Sequence, residues 1–202
     1  MKTYLEIGTG AKPNRCDLFS SEIENGRYSY FQDGYHCVFV EANPVYFIRL
    51  VTNLKNWNLG TATYTCIHSA ISTDSRMETY FEYSSGFGSW SPGSGLASSM
   101  KYKKHEYEHP TLEFIVQTTS FKDLLTWCNN KGFDIEIIRM NIGGEEVRIL
   151  TEFDFSIRPK QFYITFYPDL KNGHKIKEQF ENHGYKHMGI INRKESHFLL
   201  EK

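Results

Sequence analysis

Tyr4-Leu5-Glu6-Ile7-Gly8-Thr9-Gly10 is the stretch whose reading decides the fold. Residues 4–7 read as a short strand, which Gly8-Thr9-Gly10 stops. Glycines directly after a strand let the backbone approach a ligand with no Cβ in the way. A tight strand-to-loop turn gives the same pattern without a ligand. The dinucleotide fingerprint G-x-G-x-x-G needs a third glycine where Pro13 stands, and no G-x-x-x-x-G-K-[ST] occurs. The turn is therefore a poor pyrophosphate cradle.

Working outward, Cys37-Val38-Phe39-Val40 is continuously apolar, as in a strand buried on both faces of a parallel sheet. Glu41 ends it. Val45, Ile48, Val51 and Leu54 then recur at helical spacing from Pro44 to Asn56. Strands are predicted at 61–67, 77–83, 112–118, 135–142 and 161–167. Helices are predicted from Ser120, as N-cap, to Gly132, over 145–153 and over 175–183, with a weaker one within 14–35. Residues 186–191 and 196–200 read as a closing antiparallel hairpin. Strands alternating with helices give an α/β fold with a doubly wound, mostly parallel, Rossmann-like sheet. In such a sheet ligands sit outside the carboxyl ends of the strands. The loops after Ile7, Val40, Ile67 and Ile142 should then line the site. No internal repeat or domain boundary is visible, so residues 1–202 are expected to form one domain.

Composition narrows the function classes. The net charge of −1 lacks the basic footprint of a nucleic-acid binder. No apolar run approaches the roughly 20 residues of a membrane span, and Met1-Lys2-Thr3-Tyr4-Leu5-Glu6 is no signal peptide. A cytoplasmic protein is expected, with no membrane or nucleic-acid partner. Cys16, Cys37, Cys66 and Cys128 are too scattered for a zinc site or a disulfide framework. The aromatic share of 15% is high, and tyrosines can line a polar pocket.

Glu41 sharpens the site. A carboxylate at the end of the second strand can accept both ribose hydroxyls of an adenosine. With Gly8 and Gly10 it favours a nucleoside ligand. The spacing Glu6-Ile7-Gly8 then resembles the opening of class I methyltransferases. The whole chain, over residues 4–200, is similar to the FkbM family of S-adenosylmethionine-dependent O-methyltransferases acting on sugar and polyketide hydroxyls. Val38 to Pro44 resembles that family's second-strand segment, and His68-Ser69-Ala70-Ile71 its adenine-side turn. Ala97-Ser98-Ser99 is similar to its small-residue loop, Val116 to Leu125 to its next strand and helix, and Ile135 to Leu150 to its most characteristic segment. The resemblance implies a class I methyltransferase fold. It implies S-adenosylmethionine as cofactor, held by Glu6, Gly8, Thr9, Gly10, Glu41, Ala42, Ser69, Ala70 and Asn141. The acceptor it implies is a hydroxyl of a small molecule or glycan.

The chain departs from that family at three places. Lys12 stands where motif I usually keeps a glycine. The late-strand pattern Lys-Ile-Asp-x-Glu-Gly-x-Glu is here Arg139-Met140-Asn141-Ile142-Gly143-Gly144-Glu145-Glu146. Asn141 replaces the acid nearest the reacting methyl, and Gly143 replaces the second. Asn141 can accept a hydrogen bond from an amine or hydroxyl but is no general base. It also removes a charge that would hold a divalent metal, so no metal is expected. Candidates for the reacting groups are Asn141, His105, His109 and Glu146, with His68 a further histidine. Residues 84–111, rich in Gly and Ser and then polar, read as a substrate-side loop. Phe87, Trp90 and Tyr107 there, with Arg139, are the expected acceptor contacts. Two other functions fit the same residues: a methyltransferase-like binding or scaffold protein that has lost catalysis, and a nicotinamide oxidoreductase, against which Pro13 argues.

Overall fold

The computed structural model describes residues 1–9, 30–31, 33–56, 63–82, 94–100, 112–166, 170–191 and 195–201. The weak helix expected within 14–35 and most of the loop 84–111 lie outside them.

The architecture is α/β. Strand β1 (Lys2–Ile7) pairs in parallel with β2 (His36–Glu41), and β2 with β3 (Thr63–His68). On its other side β1 pairs in parallel with β8 (Asp134–Met140), and β8 with β9 (Gln161–Thr165). Strand β11 (Glu195–Leu200) runs antiparallel to both β9 and β10 (Tyr185–Ile191). The seven-stranded order is β10-β11-β9-β8-β1-β2-β3. From β1 the chain winds outward to β3, and from β8 it winds the other way. The switch point therefore falls between β1 and β8, where a crevice opens at the strands' carboxyl ends.

Helices cover both faces. Helix α1 (Pro44–Asn56) packs Leu50 and Leu54 onto Tyr4, Cys37, Phe39 and Ile137. Asn43 caps it, its Oδ1 accepting from the Val45 amide at 2.9 Å, with Pro44 at the first helical position. On the opposite face Leu5, Ile7, Val38 and Ile138 meet α3 (Phe121–Asn130), α4 (Glu146–Thr151) and α5 (Leu170–Asn182) through Leu124, Ile149 and Phe180. Ser120 caps α3, accepting from the Asp123 amide at 3.0 Å, and such a cap stabilises by about 1 kcal/mol. Every residue of β2 is buried, as its unbroken apolar run requires. Cys37 and Cys128 are buried thiols and Cys66 is half-buried.

The sheet arrangement corrects one expectation. The strands read at 77–83 and 112–118 do not join the main sheet. They form β5 (Met77–Glu82) and β7 (Leu112–Ser120) of a separate four-stranded sheet, with β4 (Ala70–Ser72) and β6 (Gly95–Leu96), in the order β4-β7-β5-β6. Gly95–Leu96 and the short helix α2 (Ala97–Met100) occupy part of what read as structureless loop. This second sheet stands over the carboxyl end of the first and forms one wall of the crevice.

Candidate functional site

A cleft of about 730 Å³, counting its open mouth, lies at the switch point. Its floor is the ends of β1, β2 and β8: Ile7 and Gly8, then Val40 to Ala42, then Asn141 to Gly143. Ser69, with Ala70 and Ile71 of β4, Tyr80 of β5, Leu96 of β6 and the adjacent Ser94, completes the lining from the side of the second sheet. The loops expected to line the site do so.

Gly8 stitches the floor together. Its N–H donates to Val40 O at 2.9 Å, and the Asn141 N–H donates to Ile7 O at 2.9 Å. Its φ is +80°, and a Cβ there would lie 2.0 Å from the Asn141 carbonyl oxygen. The glycine is thus demanded by the approach of two strand ends, whatever binds above them. Gly10 lies outside the described residues.

Glu41 is 4% exposed. Its Oε2 accepts from the Thr9 hydroxyl at 3.0 Å and its Oε1 from the Asn43 amide at 2.8 Å. Thr9, an expected ligand contact, here orients Glu41. Behind them Glu82 takes the Asn43 side-chain amide at 2.7 Å and the Tyr46 hydroxyl at 2.9 Å. Tyr46 also lines the cleft. Burial, reinforced by Glu82, pushes its phenol well above the ordinary range, so it acts as a neutral donor. The Ser69 hydroxyl lies 2.9 Å from Gln117 O and 2.8 Å from Thr119 Oγ1. It ties the first sheet to β7 at the cleft edge, while Ala42 and Ala70 offer small apolar walls.

The loop after β8 departs most from expectation. The Asn141 Oδ1 is buried and has no hydrogen-bond partner among the described residues, although buried acceptors are usually met. Gly143 has φ +73°, and a Cβ there would lie 2.4 Å from the Ser94 carbonyl oxygen. An acid at 143 is therefore excluded by the loop itself. Glu146, read as a base candidate, is buried, and accepts from the Ile142 amide at 2.6 Å and the Gly144 amide at 2.7 Å. Those bonds make it the clamp that shapes the loop. Its neighbour Glu145, passed over in the sequence, is the carboxylate that lines the cleft.

Two further expectations are corrected. Glu6 does not line the cleft: it is buried on the Tyr4 face of β1, where the Tyr4 hydroxyl donates to it at 2.9 Å, and burial raises its carboxyl above the usual range against the pull of Arg139. Arg139, its register partner on β8, pairs with Glu195: its Nη2 donates to Oε2 at 2.9 Å and its Nε lies 2.6 Å from Oε1. It is committed to that pair rather than to an acceptor. Strand alternation carried this signal, since residues 4 and 6 share a face. His68 is exposed, stacked on Phe47 with its Nε2 3.2 Å from Ala42 O. His105, His109, Phe87, Trp90 and Tyr107 lie outside the described residues.

Chemically, the described lining holds two carboxylates, Glu41 and Glu145, an unmet amide oxygen and no basic side chain. It favours a ligand rich in donors and opposes one bearing phosphates. Among the described residues no group of three His, Cys, Asp or Glu is placed to hold a metal ion, and no helix is long and apolar enough to cross a membrane. Comparison with protein-family models, curated proteins and solved structures finds no match.

Proposed function

We propose that this chain is an S-adenosylmethionine-dependent methyltransferase acting on a hydroxyl of a small molecule or glycan. The observation that carries the reading is the acceptor-lined cleft at the switch point, with an oriented Glu41 at the end of β2 and an unmet Asn141 Oδ1 at the end of β8. The mostly parallel sheet, in which β11 alone runs antiparallel and lies between β9 and β10, supports it, as the resemblance implies a doubly wound, mostly parallel sheet with a C-terminal antiparallel hairpin. The described lining holds no basic side chain, which weighs against a pyrophosphate-bearing nicotinamide cofactor.

The residues fit the cofactor. Glu41 accepts the ribose hydroxyls, Ala42, Ser69 and Ala70 flank the base, and Asn141 Oδ1 accepts from the amine. When bound, the cofactor supplies a methyl group already activated on a sulfonium. The protein's task is then alignment, since holding nucleophile and methyl in line provides much of the rate. An acceptor hydroxyl gains further from a base, for which His105 and His109 of the 84–111 segment are the candidates.

Thermal unfolding with S-adenosylhomocysteine tests the reading. A ligand present at a hundred times its Kd stabilises by about 2.7 kcal/mol, a clear rise in Tm. No rise at millimolar concentration would overturn the cofactor assignment. A second reading, a cofactor-binding protein without catalysis, is favoured by the backbone at Gly143, which forbids the acid expected there. It predicts the same Tm rise, with no methyl transfer to any hydroxylated acceptor.

A further inference from the structure

Glu145 is the one charged group in the described lining of the cleft that the binding scheme above leaves without a task. It is 2% exposed, yet lines the cleft alongside Asn141 and Gly143. A buried carboxylate is costly unless its oxygens are met. Here Oε2 is met, by the Arg148 guanidinium at 2.8 Å and the Ser72 hydroxyl at 3.2 Å. Oε1 takes no hydrogen bond among the described residues, and Asn141 Oδ1 is likewise unmet. The cleft thus presents two unanswered acceptors, one of them charged, with no basic side chain in its described lining to answer them. Such a wall suits a ligand cation that carries or polarises hydrogens.

The loop explains why the charge stands at this position. A side chain at 143 is barred by the Ser94 carbonyl, and Glu146 is taken up by two amides of the same loop. Glu145 is the carboxylate of this segment that reaches the cleft. We propose that Glu145 is the anionic contact for the cationic, methionine-bearing half of the cofactor, supplying the charge that Asn141 and Gly143 lack. The proposal rests on the cofactor reading above.

The electrostatic surroundings agree. Burial raises the Glu145 carboxyl above the usual carboxylate range, and Glu78 on β5 adds to this; Arg148 on its own helix, the Ser72 hydroxyl and Arg76 beside β5 oppose it. A raised carboxyl loses its charge at a less acidic pH than an exposed glutamate. The cation contact is therefore present near neutrality and lost as pH falls.

Calorimetric titration with two ligands tests this: S-adenosylmethionine, and 5′-methylthioadenosine, which keeps the adenosine but carries neither the ammonium nor the sulfonium charge. Glu145→Gln should weaken S-adenosylmethionine at least tenfold and change 5′-methylthioadenosine less than twofold. Parallel losses, or no loss, would overturn the proposal. Should the variant not fold, Glu145→Asp, which keeps the charge but shortens its reach into the cleft by one methylene, is titrated with the same two ligands: S-adenosylmethionine must weaken while 5′-methylthioadenosine does not, and parallel losses or no loss overturn the proposal. Wild-type protein that binds neither ligand removes the cofactor site itself, and the proposal with it.

Discussion

The two strand ends facing each other across the cleft treat their polar groups in opposite ways. At the end of β2, Glu41 is held from both sides by the Thr9 hydroxyl and the Asn43 amide, and Asn43 is fixed in turn by Glu82 and by capping α1. At the end of β8, Asn141 Oδ1 is buried with nothing to accept, and the loop beyond it is shaped by Glu146. A buried unmet acceptor destabilises by about 1–3 kcal/mol. The difference teaches that one end is built in advance and the other kept open. An oriented carboxylate suits a fixed pair of hydroxyls, whereas an orphaned acceptor is the mark of a place a ligand completes.

The largest test breaks the floor that joins the two ends. Gly8→Ala forces a Cβ to within 2.0 Å of the Asn141 carbonyl at positive φ. It should destabilise on the order of 3 kcal/mol, read as a lowered urea midpoint, and abolish S-adenosylhomocysteine binding. Next, Glu146→Ala releases the Ile142 and Gly144 amides and should cost about 2 kcal/mol. Hydrogen exchange at those two amides should quicken while that of Glu41's partner Asn43 stays slow.

The remaining tests sharpen the contrast. Glu41→Gln keeps the shape of the β2 end but removes its charge. It should weaken S-adenosylhomocysteine about tenfold, or 1.4 kcal/mol, in a calorimetric titration. The smallest effect has the opposite sign: Asn141→Leu removes the orphaned acceptor and should stabilise the ligand-free protein by about 1 kcal/mol, while the Tm rise with S-adenosylhomocysteine disappears. A stability loss there would mean that Asn141 serves the fold rather than a ligand.

Much of the fold was legible from local pattern. The unbroken run Cys37–Val40, the helical spacing over Pro44–Asn56 and the Ser120 cap each became the expected element, although of the spaced residues Val45 and Ile48 are exposed and the helix is anchored by Leu50 and Leu54. The second sheet was not legible. Its strand β4 has three residues, and it pairs in parallel with β7 across nearly fifty positions; no local pattern encodes such a partner. At the site, Gly8, Glu41, Ala42, Ser69, Ala70 and Asn141, which the sequence singled out as cofactor contacts, line the cleft. Glu6 and Arg139 were misplaced, because motif spacing was weighed above strand alternation. Glu145 and Glu146 are adjacent acids that sequence cannot separate, since the turn of the loop at Gly143 and Gly144 decides which one faces inward.

By itself the sequence determined most of the strands and helices, that the loops after Ile7, Val40, Ile67 and Ile142 gather at the strands' carboxyl ends, and the residue types they bring there. Local chemistry suffices for that, because propensity, capping and hydrophobic period act over a few neighbours. Only the tertiary structure decided which polar atoms are answered and which are left open. That depends on groups far apart in the chain meeting at 3 Å: Thr9 with Glu41, Ser72 with Glu145, Ser94 over Gly143. The unanswered acceptors of Asn141 and Glu145 exist only as the remainder of those meetings.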